Sequence, residues 1–264
     1  MRIAVLSLVL ATVLAASPAV AEKPSPLDDT SLPGVNRYDR CLELAKKNAR
    51  EAATAAEAWH DSGGGAAALH CAALALVSLH RYSEAAAKLD SAALDKNAGG
   101  DDLRVVLFDQ AGNAWLLAGL PQKAEASLTA GLALAPKDSD LLVDRARARA
   151  ARKEWNAADA DLSALLATNS NRADVLVLRA SARHAEGRKA EARADIERAL
   201  QIYPGYPEAL VERGAMKYEA GDTIGARADW EQVVRDAPNG DAGAAAREHL
   251  EDMDAAAAAK PQGK

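Results

Sequence analysis

The sequence predicts an all-α solenoid, a row of helical hairpins sealed by a capping helix. Three observations lead there. A 34-residue period runs four times without a gap over residues 105–240, with Pro136, Pro204 and Pro238 in phase, and self-similarity at that spacing marks stacked hairpins. Residue size keeps the same step. Phe108, Leu142, Leu176 and Leu210 share a column, and Gly112, Ala146, Ala180 and Gly214 stand four places later. Ala124, Ala158, Ala192 and Ala226 follow, and then Leu128, Leu162, Ile196 and Trp230. Aromatic residues make up only 4% of the chain, and no run reads as a strand, so the core must consist of Ala and Leu in thin layers between close helices.

Taken in order, residues 1–21 read as a signal peptide. Arg2 gives the positive start, an apolar stretch runs from Ile3 to Ala16, and Ala19-Val20-Ala21 is a small-x-small cleavage site. The stretch falls short of the roughly 20 apolar residues of a membrane span, and Ser17-Pro18 interrupts it, so no span is expected after cleavage. With no Cys at the cleavage site to take lipid and no Arg-Arg pair, the expected product is a soluble periplasmic protein starting at Glu22. Residues 22–36, rich in Pro, Ser and Asp, are expected to be a disordered leader. Residues 37–65 form an irregular hairpin, with Tyr38, Leu42 and Ala45 on one helical face, Ala52, Ala56 and Trp59 on the next, and Gly63-Gly64-Gly65 at its end. Residues 66–104 hold a degenerate copy, in which Leu69, Ala73, Tyr82, Ala85, Leu89 and Ala92 fit the pattern, and a spacer with Gly99, Gly100, Asp101 and Asp102. Regular copies follow at 105–138, 139–172, 173–206 and 207–240. Asp241 then caps a last helix over 241–256, whose Ala246, Leu250 and Met253 cover the final apolar surface. Residues 257–264 are a tail expected to fray.

The columns have a steric reason. Two helices approach closely only where side chains are small, so the Gly/Ala column of each first helix should face the Ala column of the second, with the large residues between hairpins. Gly119, Gly187 and Gly221 stand where the first helix must stop, suited to a left-handed C-cap. Lys153 breaks that column, and Ser170 replaces the closing Pro. Charges keep step too: Arg145, Arg179 and Arg213 form one column, and Asp161, Asp195 and Asp229 form another sixteen places on. Where Ala111 replaces the Arg, Ser127 replaces the Asp. Each Arg is therefore expected to pair with its Asp across the hairpin, at the value of a half-exposed pair, about 0–1 kcal/mol.

This set of columns resembles the tetratricopeptide repeat (TPR). The resemblance implies a right-handed α-solenoid of TPR-type hairpins whose first helices line a concave surface for a partner protein or peptide. Carried over column by column, it places Asp109, Asn113, Leu116, Val143, Arg147, Val177, Ser181, His184, Val211 and Tyr218 in that groove. Some members of the family clamp a chain-terminal carboxylate with Lys, Arg and Asn. Here Asp109 and three valines hold those places, so a peptide C-terminus is not the expected ligand. The implied role is a non-catalytic adaptor or scaffold that binds an envelope protein or peptide, or further copies of itself as a homo-oligomer.

Composition and motifs narrow the classes further. A formal charge of -6 without a Lys/Arg stripe speaks against nucleic acid and leaves basic proteins open as partners. No His-Glu-x-x-His, Gly-x-Ser-x-Gly, dinucleotide-binding or phosphate-loop motif is present. Carboxylate pairs such as Asp159 and Asp161 read as solvated helix surface, so no enzyme activity is expected. His70 beside Cys71, or His60 with His80, lacks the spacing of a zinc site, and neither metal nor other cofactor is expected. Cys41 and Cys71, the two cysteines, are expected to bond in an oxidising compartment. That bond would close a loop of 30 residues and stabilise by about 3–4 kcal/mol. A thiol- or metal-dependent accessory role is the remaining reading, and it requires those thiols to be free and reactive.

Overall fold

A computed structural model describes residues 25–28, 36–95 and 98–259 of the chain. The predicted signal peptide and the end of the tail past Ala259 lie outside the described residues. Every regular element among those residues is helical. The first hairpin pairs α1 (Arg37–Lys47) with α2 (Ala49–Trp59), joined at Asn48, whose side chain accepts from the Glu51 N–H at 3.2 Å. A π turn over His60–Gly64, with Gly63 at φ 94°, swings the chain into α3 (Gly65–Ser78), which pairs with α4 (Tyr82–Leu94). Four hairpins follow: α5 (Asp101–Leu117) with α6 (Pro121–Leu134), α7 (Ser139–Ala151) with α8 (Trp155–Thr168), α9 (Ala173–Ala185) with α10 (Lys189–Ile202), and α11 (Pro207–Glu219) with α12 (Thr223–Asp236). The closing helix is α13 (Asp241–Ala259).

Two boundaries differ from the sequence reading. Helix α5 starts a turn ahead of Val105, because Asp101 and Asp102 place negative charge where the helix dipole favours it. Helix α13 continues through the alanines of the expected tail as far as Ala259, Ala being the strongest helix former.

The turns inside the five hairpins from α3 to α12 share one geometry. The N–H groups of Arg81, Leu120, Glu154, Arg188 and Asp222 each donate at 2.9 Å to the carbonyl five residues back. Together with the left-handed residue before each, this is the Schellman ending of a helix. Gly119, Gly187 and Gly221 take that conformation as expected, but so do His80 at φ 57° and Lys153 at φ 62°. The break in the glycine column at Lys153 therefore leaves the turn intact.

Close approach of the paired helices depends on the small column. A Cβ added at Gly112 would land on the Leu128 side chain, and one at Gly214 on the Trp230 indole. One apolar core runs from α3 to α13, with Leu107, Leu128, Leu141, Leu162, Ile196 and Trp230 fully buried along it. The first hairpin packs separately. Cys41, Ala55, Ala56, Cys71 and Ala72 form its own cluster, and Cys41 and Cys71 are bonded there with their Cα atoms 6.2 Å apart.

Three expectations are corrected. Part of the expected disordered leader is ordered: Pro26–Asp28 form a 3₁₀ turn, Leu27 is buried against the disulfide, and the Leu27 carbonyl accepts from Arg40 Nε at 2.6 Å. One apolar residue fitting one socket makes no sequence periodicity. The Arg–Asp pairs form as expected, with Arg145 Nε and Nη2 on Asp161 at 3.0 and 2.7 Å and the same fork at Arg179–Asp195 and Arg213–Asp229. They are not half-exposed pairs, because Asp161, Asp195 and Asp229 are only 4–5% exposed. Asp159 is buried as well, bound by Arg183 and Arg188 at 3.1 and 2.7 Å, so neither member of the Asp159/Asp161 pair is solvated surface charge.

Candidate functional site

The first helices of neighbouring hairpins touch one another directly, α1 on α3, α5 on α7 and α9 on α11, and α11 also meets α13. No pair of second helices makes comparable contact among the described residues. The first helices therefore line the tighter, inner side of the array, and the candidate residues stand on them.

Their environments differ. Val143 and Val177 are buried, at 6% and 7% exposure, and form the floor rather than the accessible lining. Leu116 and Val211 are half-buried against the core. Arg147 is exposed, and Tyr218 stands near the C-terminal end, its ring 5.9 Å from that of Trp230. The polar members join neighbouring hairpins. Asn113 Nδ2 donates to Asp144 at 2.7 Å, and Arg147 Nη1 holds the other Asp144 oxygen at 2.7 Å. Ser181 Oγ donates to Glu212 at 3.0 Å, while His184 lies 3.0 Å from Glu219, which also receives Lys189 at 2.8 Å.

Asp109 is different. Its Oδ1 is buried and accepts no hydrogen bond. Burial, first, and then the carboxylates of Asp144, Asp140 and Asp138 push its pKa up to about 6. The donors nearby are committed elsewhere, since Arg147 and the Asn113 amide both serve Asp144.

Beyond the predicted set, the structure adds a link at the N-terminal end. Tyr38 on α1 and Gln110 on α5 grip His70 of α3 between them, at 2.6 Å to Nδ1 and 2.8 Å to Nε2. Gln110 Oε1 can only accept, so Nε2 carries the proton and Nδ1 accepts from the tyrosine hydroxyl. Burial lowers the His70 pKa, which keeps the ring neutral in this role. Beside the link lies a cavity of about 450 Å³, walled by Tyr38, Ala67, Leu103 and Leu107, by the glycine backbone at 63–65 and by the Asp95 carboxylate. Gln110, Asp144 and Glu212 were not among the candidates, although they share a 34-residue column one place past Asp109, Val143 and Val211. That spacing was the available signal.

Solved structures similar to this chain include TPR proteins. YrrB, a TPR protein with an unusual peptide-binding site, aligns at a TM-score of 0.55 and 19% identity over 67% of this chain and 90% of its own. MamA from Desulfovibrio magneticus RS-1 aligns at 0.55 and 18% identity, over 64% of this chain and 93% of its own. A TPR protein from Parabacteroides merdae aligns at 0.54 and 16% identity over 74% and 77%. No family model and no curated protein matches the chain. The likeness is one of fold: the chain has the fold of a tetratricopeptide-repeat solenoid.

Proposed function

We propose that this chain is a non-catalytic TPR adaptor of the bacterial cell envelope, exported by cleavage after Ala21, which holds a partner protein or peptide on the inner face of its array. The observation that carries this reading is an inner face tied across three parts of the array by side-chain hydrogen bonds, Tyr38–His70–Gln110 over α1, α3 and α5, Asn113–Asp144 between α5 and α7, and Ser181–Glu212 between α9 and α11. A surface fixed before binding loses less conformational freedom when a partner arrives. The peptide-binding site of YrrB supports a partner of that kind, and the buried Cys41–Cys71 bond supports an oxidising compartment. The test is a crosslinked pull-down from the envelope fraction, comparing the wild-type chain with an Arg147→Glu, Tyr218→Ala variant. A protein recovered with the first and lost with the folded second supports the reading, and recovery of both chains alone sinks it. A fusion of residues 1–36 to a reporter active only outside the cytoplasm tests export.

A second reading, self-association, is favoured by the C-terminal end. There Ile224, 84% exposed, stands with Tyr218 and Met253 along a cleft between α12 and α13. Light scattering that shows mass rising with concentration, and an Ile224→Ser variant that abolishes the rise, would establish it.

A further inference from the structure

We infer that the inner face takes a basic partner segment: an apolar side chain of that segment fills the cavity bounded by α1, α3 and α5, and a lysine or arginine a few residues away pairs with Asp109. The inference rests on the adaptor reading and adds the chemistry of the partner. At about 450 Å³ the cavity falls within the range of about 300–1,000 Å³ typical of ligand pockets. Its wall is largely apolar, and the polar atoms of His70 are spent on Tyr38 and Gln110. An apolar group therefore suits the part of the wall made by Tyr38, Ala67, Leu103 and Leu107, and the Asp95 carboxylate on the same wall favours a segment of positive charge.

Leu103, which walls the cavity, also begins a strip along α5. Leu103, Val106 and Asp109 follow one another at three-residue spacing and so share a face of the helix. Leu103 and Val106 are exposed there, and Leu103 also walls the cavity. At the end of the strip Asp109 has a buried oxygen without a donor. Nearby charge is negative, from Asp138, Asp140 and Asp144, and the Arg147 guanidinium is engaged with Asp144. An incoming cation beside the half-exposed Asp109 carboxylate relieves that repulsion, whereas an acidic segment would add to it. From Leu103 to Asp109 the helix rises about 9 Å, which an extended segment covers in about three residues.

The experiment is selection of random displayed peptides against the chain from residue 22 onward, followed by titration of the best peptide with a fluorescent label. The expected peptides carry Lys or Arg about three places from a large apolar residue. Their affinity should fall about tenfold with Asp109→Asn, and comparably with Ala67→Phe, which fills the cavity from an exposed position. Circular dichroism checks that both variants fold. Peptides that lack basic residues, or that ignore either substitution, overturn the inference and leave the adaptor reading standing. Peptides that reproduce a segment of this chain make a second copy the occupant and overturn it as well. If no peptide is enriched, both readings fall.

Discussion

At Asp109 the binding surface and the stability of the fold pull in opposite directions. The carboxyl is pushed up to about 6, from 3.8, by burial and by the carboxylates of Asp144, Asp140 and Asp138. Because its folded value lies above its unfolded one, the fold keeps a proton that the unfolded chain has already released. The stability contributed by this group is complete below about pH 4 and is lost as the pH rises through about 6. Asp109→Asn removes the charge and nearly keeps the shape, so the variant should be more stable than wild type at about pH 8, by about 1 kcal/mol after allowing for the solvent that reaches the group. The gain should vanish at about pH 3. Thermal melts at the two pH values decide the matter, and an equal gain at both would show that charge is not its source. The same substitution is expected to weaken binding of a basic peptide. A residue that costs the fold and serves the ligand is the pattern of a site.

At the scale of the element, the hairpin is set by its turn and by its charged clamp. Lys153 holds a left-handed conformation at φ 62° in a Schellman turn that is otherwise glycine in the regular copies. A side chain there is strained, so Lys153→Gly should stabilise by about 0.5–1 kcal/mol, part of the relief being offset by the freer unfolded chain. Urea midpoints measure this, and a fall would mean that the lysine makes a compensating contact. The clamp is stronger than its sequence suggested. Asp195 accepts the Arg179 fork and Arg183 Nη1 at 2.9 Å, and Arg183 reaches back to Asp159 of the preceding hairpin at 3.1 Å. Asp195→Ala would leave two guanidinium groups without their buried partner, at a cost of about 3 kcal/mol. Buried pairs are weakly screened, so most of that loss should persist in roughly 1 M salt; a loss that disappears with salt would mark the pair as superficial. The pairing was legible because Arg and Asp recur together, and the burial was not. Cover for Asp159 comes from Arg183 and Arg188 of the neighbouring hairpin, which depends on the stacking angle. The Tyr38–His70–Gln110 link was hidden for the same reason, since it joins three hairpins of unequal spacing. Leu27 was hidden because a single anchor residue produces no period.

At the scale of the whole molecule, the array holds together unevenly. From α3 to α13 one apolar core is continuous, but α1 and α2 contribute to small clusters of their own, built from Leu27, alanines and the Cys41–Cys71 bond. In a solenoid each hairpin is stabilised only by its neighbours, so an end that packs with small side chains is the first to open. The bond offsets this, since closing a loop of 30 residues restricts the unfolded chain by about 3–4 kcal/mol. It also holds α1, and with it Tyr38, against α3, so that the wall of the inner cavity depends on a link made outside it. A Cys41→Ser, Cys71→Ser variant should therefore lose protection locally. Amide exchange is expected to accelerate in residues 37–59 while the amides of α5 to α12 keep their wild-type rates. Peptide binding that depends on the cavity should weaken together with that loss. Uniform acceleration along the whole array would show that the first hairpin is coupled to the main core more tightly than its packing indicates. Unchanged exchange would show that the alanine layers and Leu27 hold the end without the bond.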